Sequence, residues 1–238
     1  MASKPKIMKL TKIKNFDGTG RIDFGQNEIL IYRWIEGASP DIYSYDNSKT
    51  IKKVNEDYFG KVVIGANYKN IEKKLPGKIH QYCTTKSKNG DVYFCTDQND
   101  IIFGFNKDGI LIFEWDLKLT HGHPINYIQF HEPDFLWIAF PTGQTITQFN
   151  LTHRTEIFKI GKYSHDDDFE LLNYPESIFI TEKVLFIPNI GNNRVYKVNL
   201  ETKIIELMYT FTEPIWQYAQ TNNGTFVVLD SGIYELEN

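Results

Sequence analysis

The sequence predicts an all-β fold, a closed ring of four-stranded sheets, from three observations. Helical periodicity is nearly absent, and short apolar runs bounded by Gly, Asn, Asp and Pro follow one another instead. Those runs come in threes, each triple preceded by one further apolar run. The layout then recurs, and a period of about 40–50 residues with four strands per unit is the signature of a β-propeller.

Taken in order, Lys6–Lys14 alternates apolar and polar residues, as an outer strand does. Arg21–Phe24 opens the first unit. Lys78–Tyr82 opens the second, followed by Asp91–Thr96, Ile101–Asn106 and Ile110–Asp116. Pro124–Tyr127 opens the third, with Leu136–Phe140, Thr145–Leu151 and Thr155–Ile160 behind it. Pro175–Ile178 opens the fourth, before Val184–Pro188, Arg194–Leu200 and Ile204–Thr210. Pro214–Tyr218, Thr225–Asp230 and Gly232–Glu237 form the last.

Anchored on Ile22, Ile79, Ile125, Glu176 and Ile215, the units lie 57, 46, 51 and 39 residues apart. The last unit has three strands, so Lys6–Lys14 is expected to supply its fourth. That pairing joins both termini in one blade and removes exposed sheet edges. The expectation is one domain of five blades of four antiparallel strands. The blades fall near 17–57, 78–118, 124–162, 174–211 and 213–238 with 5–14. The long first interval leaves 58–77 as an insertion, read as a solvated excursion or a partial lid over a mouth. If it were a degenerate blade, the count would be six.

Composition agrees with this fold. Aromatics make up 15 %, as 17 Phe, 14 Tyr and 4 Trp, and such residues fill the contacts between sheets. Trp115 and Trp137 are assigned to packing between blades. Lys and Arg number 26 against 30 Asp and Glu, a net charge of −4. A mildly acidic chain argues against a nucleic-acid partner. No apolar run approaches the ~18–20 residues of a membrane span. Met1–Lys14 carries no signal-peptide pattern, so a cytoplasmic monomer is expected. Cys83 and Cys95 flank a turn at Asn89-Gly90. A two-residue loop would put them on opposite faces and a three-residue loop directly across from each other, read as buried free thiols.

Pro175–Lys203 (PESIFITEKVLFIPNIGNNRVYKVNLETK) resembles an NHL-type repeat in its Gly-Asn-x-Arg-Val turn and the strand that follows. Asn99–Phe113 is similar, and diverged YVTN-type and gluconolactonase-type propellers look alike at this level. The resemblance implies the propeller fold, which hosts binding and catalysis alike. Gluconolactonase-type enzymes hold a metal through a Glu, an Asn and an Asp from different blades. Asp23, Asn126 and Glu176 match that set in residue type. However, Asn189 stands where an Asp-Ser pair would be expected, and no catalytic residue is carried over.

Loops on the face where inner strands begin are expected to carry function. The third residue of each opening run, Asp23, His80, Asn126, Ser177 and Trp216, is projected towards the channel there. Trp34, Glu213 and Arg194 join them as candidate ligand-binding groups, with the two tryptophans as stacking platforms. His121-Gly-His123 and the Asp166–Asp168 run supply His121, His123, Asp166 and Asp168 as candidate ligands for a divalent cation. All of these are also ordinary polar loop residues. No nucleophile elbow, HExxH, phosphate loop or dinucleotide fingerprint occurs. The resulting expectation is a propeller with a polar, His/Asp-lined mouth that binds a protein, glycan or small molecule. A metal-assisted, lactonase-like hydrolase at the same mouth is the alternative, and a structural or assembly subunit the second.

Overall fold

The computed structural model describes residues 9–14, 20–24, 28–33, 40–96, 100–117, 122–162, 172–222 and 224–237. Five four-stranded antiparallel sheets form the blades. Blade 1 is β2 (Gly20–Phe24), β3 (Glu28–Arg33), β4 (Asp41–Asp46) and β5 (Ile51–Val54). Blade 2 is β6 (Cys83–Lys86), β7 (Val92–Cys95), β8 (Ile101–Phe105) and β9 (Leu111–Asp116). Blade 3 is β10 (Tyr127–His131), β11 (Phe135–Phe140), β12 (Thr145–Asn150) and β13 (Thr155–Gly161). Blade 4 is β14 (Phe179–Ile180), β15 (Val184–Asn189), β16 (Arg194–Asn199) and β17 (Ile205–Thr210). Blade 5 is β18 (Ile215–Thr221), β19 (Gly224–Leu229), β20 (Gly232–Glu237) and, outermost, β1 (Lys9–Lys14). The expected closure is therefore present: Leu10 lies across from Leu236 and Lys12 across from Tyr234.

The turn chemistry repeats with the blades. Asp46, Asn106, Asn150 and Asn199 each end the third strand of a blade or follow it. Each accepts a hydrogen bond from a backbone N–H two or three residues on, at Ser48, Asp108, His153 and Glu201. In blade 2, β6 and β7 meet through a three-residue loop, with Ser87 N–H on Asp91 O at 2.9 Å. Gly90 adopts φ 91° there, a conformation open to glycine at no steric cost. Cys83 consequently faces Cys95 across the ladder, and both are buried cysteines not joined in a disulfide.

Four apolar clusters fill the spaces between blades. One spans blades 2, 3 and 4 around Trp137 and Phe149, and a second joins blades 4 and 5 around Phe186 and Tyr218. A third joins blades 5 and 1 around Ile22 and Phe226. The fourth joins blades 1 and 2, and helices form its middle. Asn55 caps α1 (Glu56–Val63) by accepting from Tyr58 N–H, and α2 (Tyr68–Glu72) follows. Phe59, Val63, Tyr68 and Ile71 are buried between Leu30 and Tyr32 of blade 1 and Phe94 and Phe105 of blade 2. A Cβ at Gly60 would collide with the Tyr68 ring, so glycine is what lets α2 lie against α1. The segment expected as an excursion or lid is a wedge between two blades, because its apolar residues recur at helical spacing. No described helix is long and apolar enough to cross a membrane.

Candidate functional site: the central channel

An inner strand has one neighbour in its sheet, so its channel-side backbone groups need other partners. Side chains of the preceding blade supply them. Gln217 accepts from Ile22 N–H at 2.6 Å and donates to Ile22 O at 3.3 Å, linking blade 5 to blade 1. Cys83 Sγ meets Ile128 N and O at 3.4 and 3.6 Å, and Thr85 Oγ1 accepts from Phe130 N–H at 2.9 Å, linking blade 2 to blade 3. Gln129 Oε1 accepts from Ile180 N–H at 3.1 Å, linking blade 3 to blade 4. Ser177 Oγ donates to Trp216 O at 2.7 Å, linking blade 4 to blade 5.

Of the expected mouth residues that are described, Asn126 and Ser177 serve such ties, and Trp216, Glu213 and Arg194 bond within their own blade or its adjoining loop. Asn126 donates to the backbone and side chain of Glu176. Trp216 Nε1 donates to Asp230 at 2.6 Å, and the Glu213 carboxylate accepts from Ser231 N–H and Oγ at 2.8 and 2.6 Å. Arg194 donates to the Tyr196 hydroxyl at 3.3 Å. The His123 ring lies over Gly143, and His80 falls in the 3₁₀ turn Ile79–Gln81. Trp34, His121, Asp166 and Asp168 lie outside the described residues. Among the described residues no three His, Cys, Asp or Glu side chains gather as a metal site would need.

Asp23 sits apart from this group, near the end of β2. It pairs with Arg21, whose Nε and Nη2 both lie 2.9 Å from Asp23 Oδ2. The two residues are on one face of the strand, and the Arg21 guanidinium stacks 4.8 Å over Tyr32, its cross-strand partner. Burial raises the Asp23 carboxyl above its ordinary value, against the pull of Arg21. Burial likewise raises the Tyr127 hydroxyl, which also feels the charges of this pair.

The open space lies at the face where the inner strands end. An inner cavity of about 240 Å³ is bounded by Asp23, Val63 of α1, Thr84, Tyr127 and Gln129. An outer cavity of about 570 Å³ is bounded by Lys88, His131, Glu132, Thr181 and Glu182. Lys86, Phe130 and Ile180 line both, so the two cavities adjoin there. Desolvation lowers the Lys86 ammonium below its ordinary value, although part of the side chain stays exposed. Sequence reasoning passed over Lys86, Gln129 and Gln217. A signal was present: Gln129 stands between Ile128 and Phe130 and Gln217 between Trp216 and Tyr218, where a polar side chain needs a partner.

No protein-family model and no curated protein matches the sequence. Among solved structures the chain is similar to a streptogramin B lyase, with TM-score 0.61, 16 % identity and 97 % of each chain covered. It is similar to a Myxococcus xanthus glutaminyl cyclase, with TM-score 0.54, 8 % identity, and 98 % of this chain and 95 % of that one covered. It is also similar to a catalytically inactive virginiamycin B lyase from Staphylococcus aureus with quinupristin, with TM-score 0.51 and 15 % identity. That match covers 90 % of this chain, which spans only 64 % of the lyase. At these identities the likeness is one of fold, and the chain is a diverged five-bladed β-propeller.

Proposed function

We propose that this protein is a binding module that takes a small molecule in the channel at the end where its inner strands finish. The observation that carries the reading is the pair of adjoining cavities that share Lys86, Phe130 and Ile180 of three successive blades. Its outer part, about 570 Å³, lies within the ~300–1,000 Å³ of small-molecule sites. The opposite mouth supports the reading less well. A protein or glycan bound over Trp216 and Glu213 would compete with their bonds to Asp230 and Ser231.

The test is a fragment screen by ligand-observed NMR on the full chain and on Ile180→Trp, which fills the cavity from its wall. Binding of several fragments to the parent and loss of that binding in Ile180→Trp, with an unchanged melting temperature, supports the reading. Fragments that bind both proteins equally, or neither, overturn it.

A further inference from the structure

The walls of the cavity specify the charge of its occupant. Besides the Tyr127 hydroxyl, six ionisable groups line it, and five of them are Lys88, His131, Glu132, Glu182 and Asp23. Each of these five has a partner. Lys88 Nζ lies 3.6 Å from Glu182 Oε1, and Glu132 accepts from Lys88 N–H at 2.7 Å. His131 Nε2 is 3.4 Å from Glu182 O, and Asp23 is held by Arg21. The sixth, Lys86, has no carboxylate partner among the described residues. It stands at the junction of the inner and outer cavities, flanked by Phe130 and Ile180.

A partly desolvated ammonium without a counter-charge favours an anion beside it. One such cation matches one negative charge. A dianion such as a phosphate monoester would leave charge uncompensated among Phe24, Phe130, Ile180 and Val63, which costs free energy. Those side chains instead suit an apolar body. In the inner cavity that Lys86 also lines, the Thr84 hydroxyl is buried with no hydrogen-bond partner among the described residues.

We propose that the cavity takes a small apolar monocarboxylate, its carboxylate paired with Lys86 and its body against Phe130 and Ile180. This rests on the cavity being the binding site. The test uses 4-phenylbutyrate and octanoate, each against its neutral amide, measured by titration calorimetry at low salt on the full chain. Lys86→Met keeps the length and apolar stem of the side chain and removes the charge.

The expected result is that both carboxylates bind at least tenfold more tightly than their amides. Lys86→Met then abolishes that preference, so that acid and amide bind alike, with the melting temperature unchanged. Equal binding of acid and amide, or a preference that survives in Lys86→Met, overturns the charge assignment and leaves cavity binding standing. Failure of acids and amides alike, together with fragments that ignore Ile180→Trp, overturns cavity binding itself. A phosphate monoester, phenyl phosphate, that outcompetes both carboxylates overturns the monoanion argument alone.

Discussion

Gln217 of blade 5 holds both backbone groups of Ile22 in blade 1, at 2.6 Å on the N–H and 3.3 Å on the carbonyl. The two residues are 195 positions apart in sequence, and both are buried. This carboxamide does for the blade 5–blade 1 joint what Gln129 does between blades 3 and 4. Gln217→Met removes it at similar volume and leaves two buried backbone groups unmet. Each unmet group costs about 1–3 kcal/mol, so the variant should lose about 2–5 kcal/mol of stability in urea unfolding. A loss below about 0.5 kcal/mol, the level of a neutral surface change, would show that water replaces the tie.

The wedge makes a separate prediction. Phe59 is 1 % exposed, and its ring meets Tyr32 edge-on at 4.8 Å. Phe59→Ala should therefore cost about 3–5 kcal/mol, as a core deletion does. A segment that merely loops into solvent would lose almost nothing. Val63 of the same helix lines the inner cavity, so the variant should also weaken fragment binding.

Ring closure depends on β1. Leu10 packs into the blade 4–blade 5 cluster and Ile13 into the blade 5–blade 1 cluster. Removing residues 1–14 strips these contacts and bares the edge of β20. The truncated chain should unfold at markedly lower denaturant and associate at concentrations where the parent stays monodisperse by light scattering. Unchanged stability and dispersity would count against closure.

Stability should also fall in acid through Asp57. Its carboxylate accepts hydrogen bonds from Lys61, Tyr68 and Lys69, which hold its pKa well below the usual carboxylate range. A depressed folded-state pKa stabilises the fold fully above the unfolded value, about 3.9, and the benefit is lost as pH falls below it. Asp57→Asn should therefore be less stable than the parent near neutral pH, with the gap closing as pH drops below about 4. A gap that stays constant through that range would mean the carboxylate charge contributes nothing.

The fold was legible because its signals are local and repeat. Asn and Asp at the turns, apolar triples between them and the unpaired alternation before Lys14 point to five blades and to closure, with a sixth blade left open only by 58–77. The wedge was legible only in part. Phe59, Val63, Tyr68, Ile71 and Leu75 carry helical spacing, but the lysines among them read as a solvated excursion. The cavity was not legible at all. It arises from where β6, β10 and β14 end relative to one another, a relation between blades that no single stretch encodes. The candidate mouth residues were chosen as polar loop groups, yet Asn126, Ser177 and Glu213 are taken up in tying loops and blades together.

The most direct measurement is a crystal structure after soaking with the fragments that bind in solution. Binding in the cavity predicts ligand density between Phe130 and Ile180, within hydrogen-bond distance of Lys86. Density confined to the opposite mouth, against Trp216 and Glu213, would contradict it.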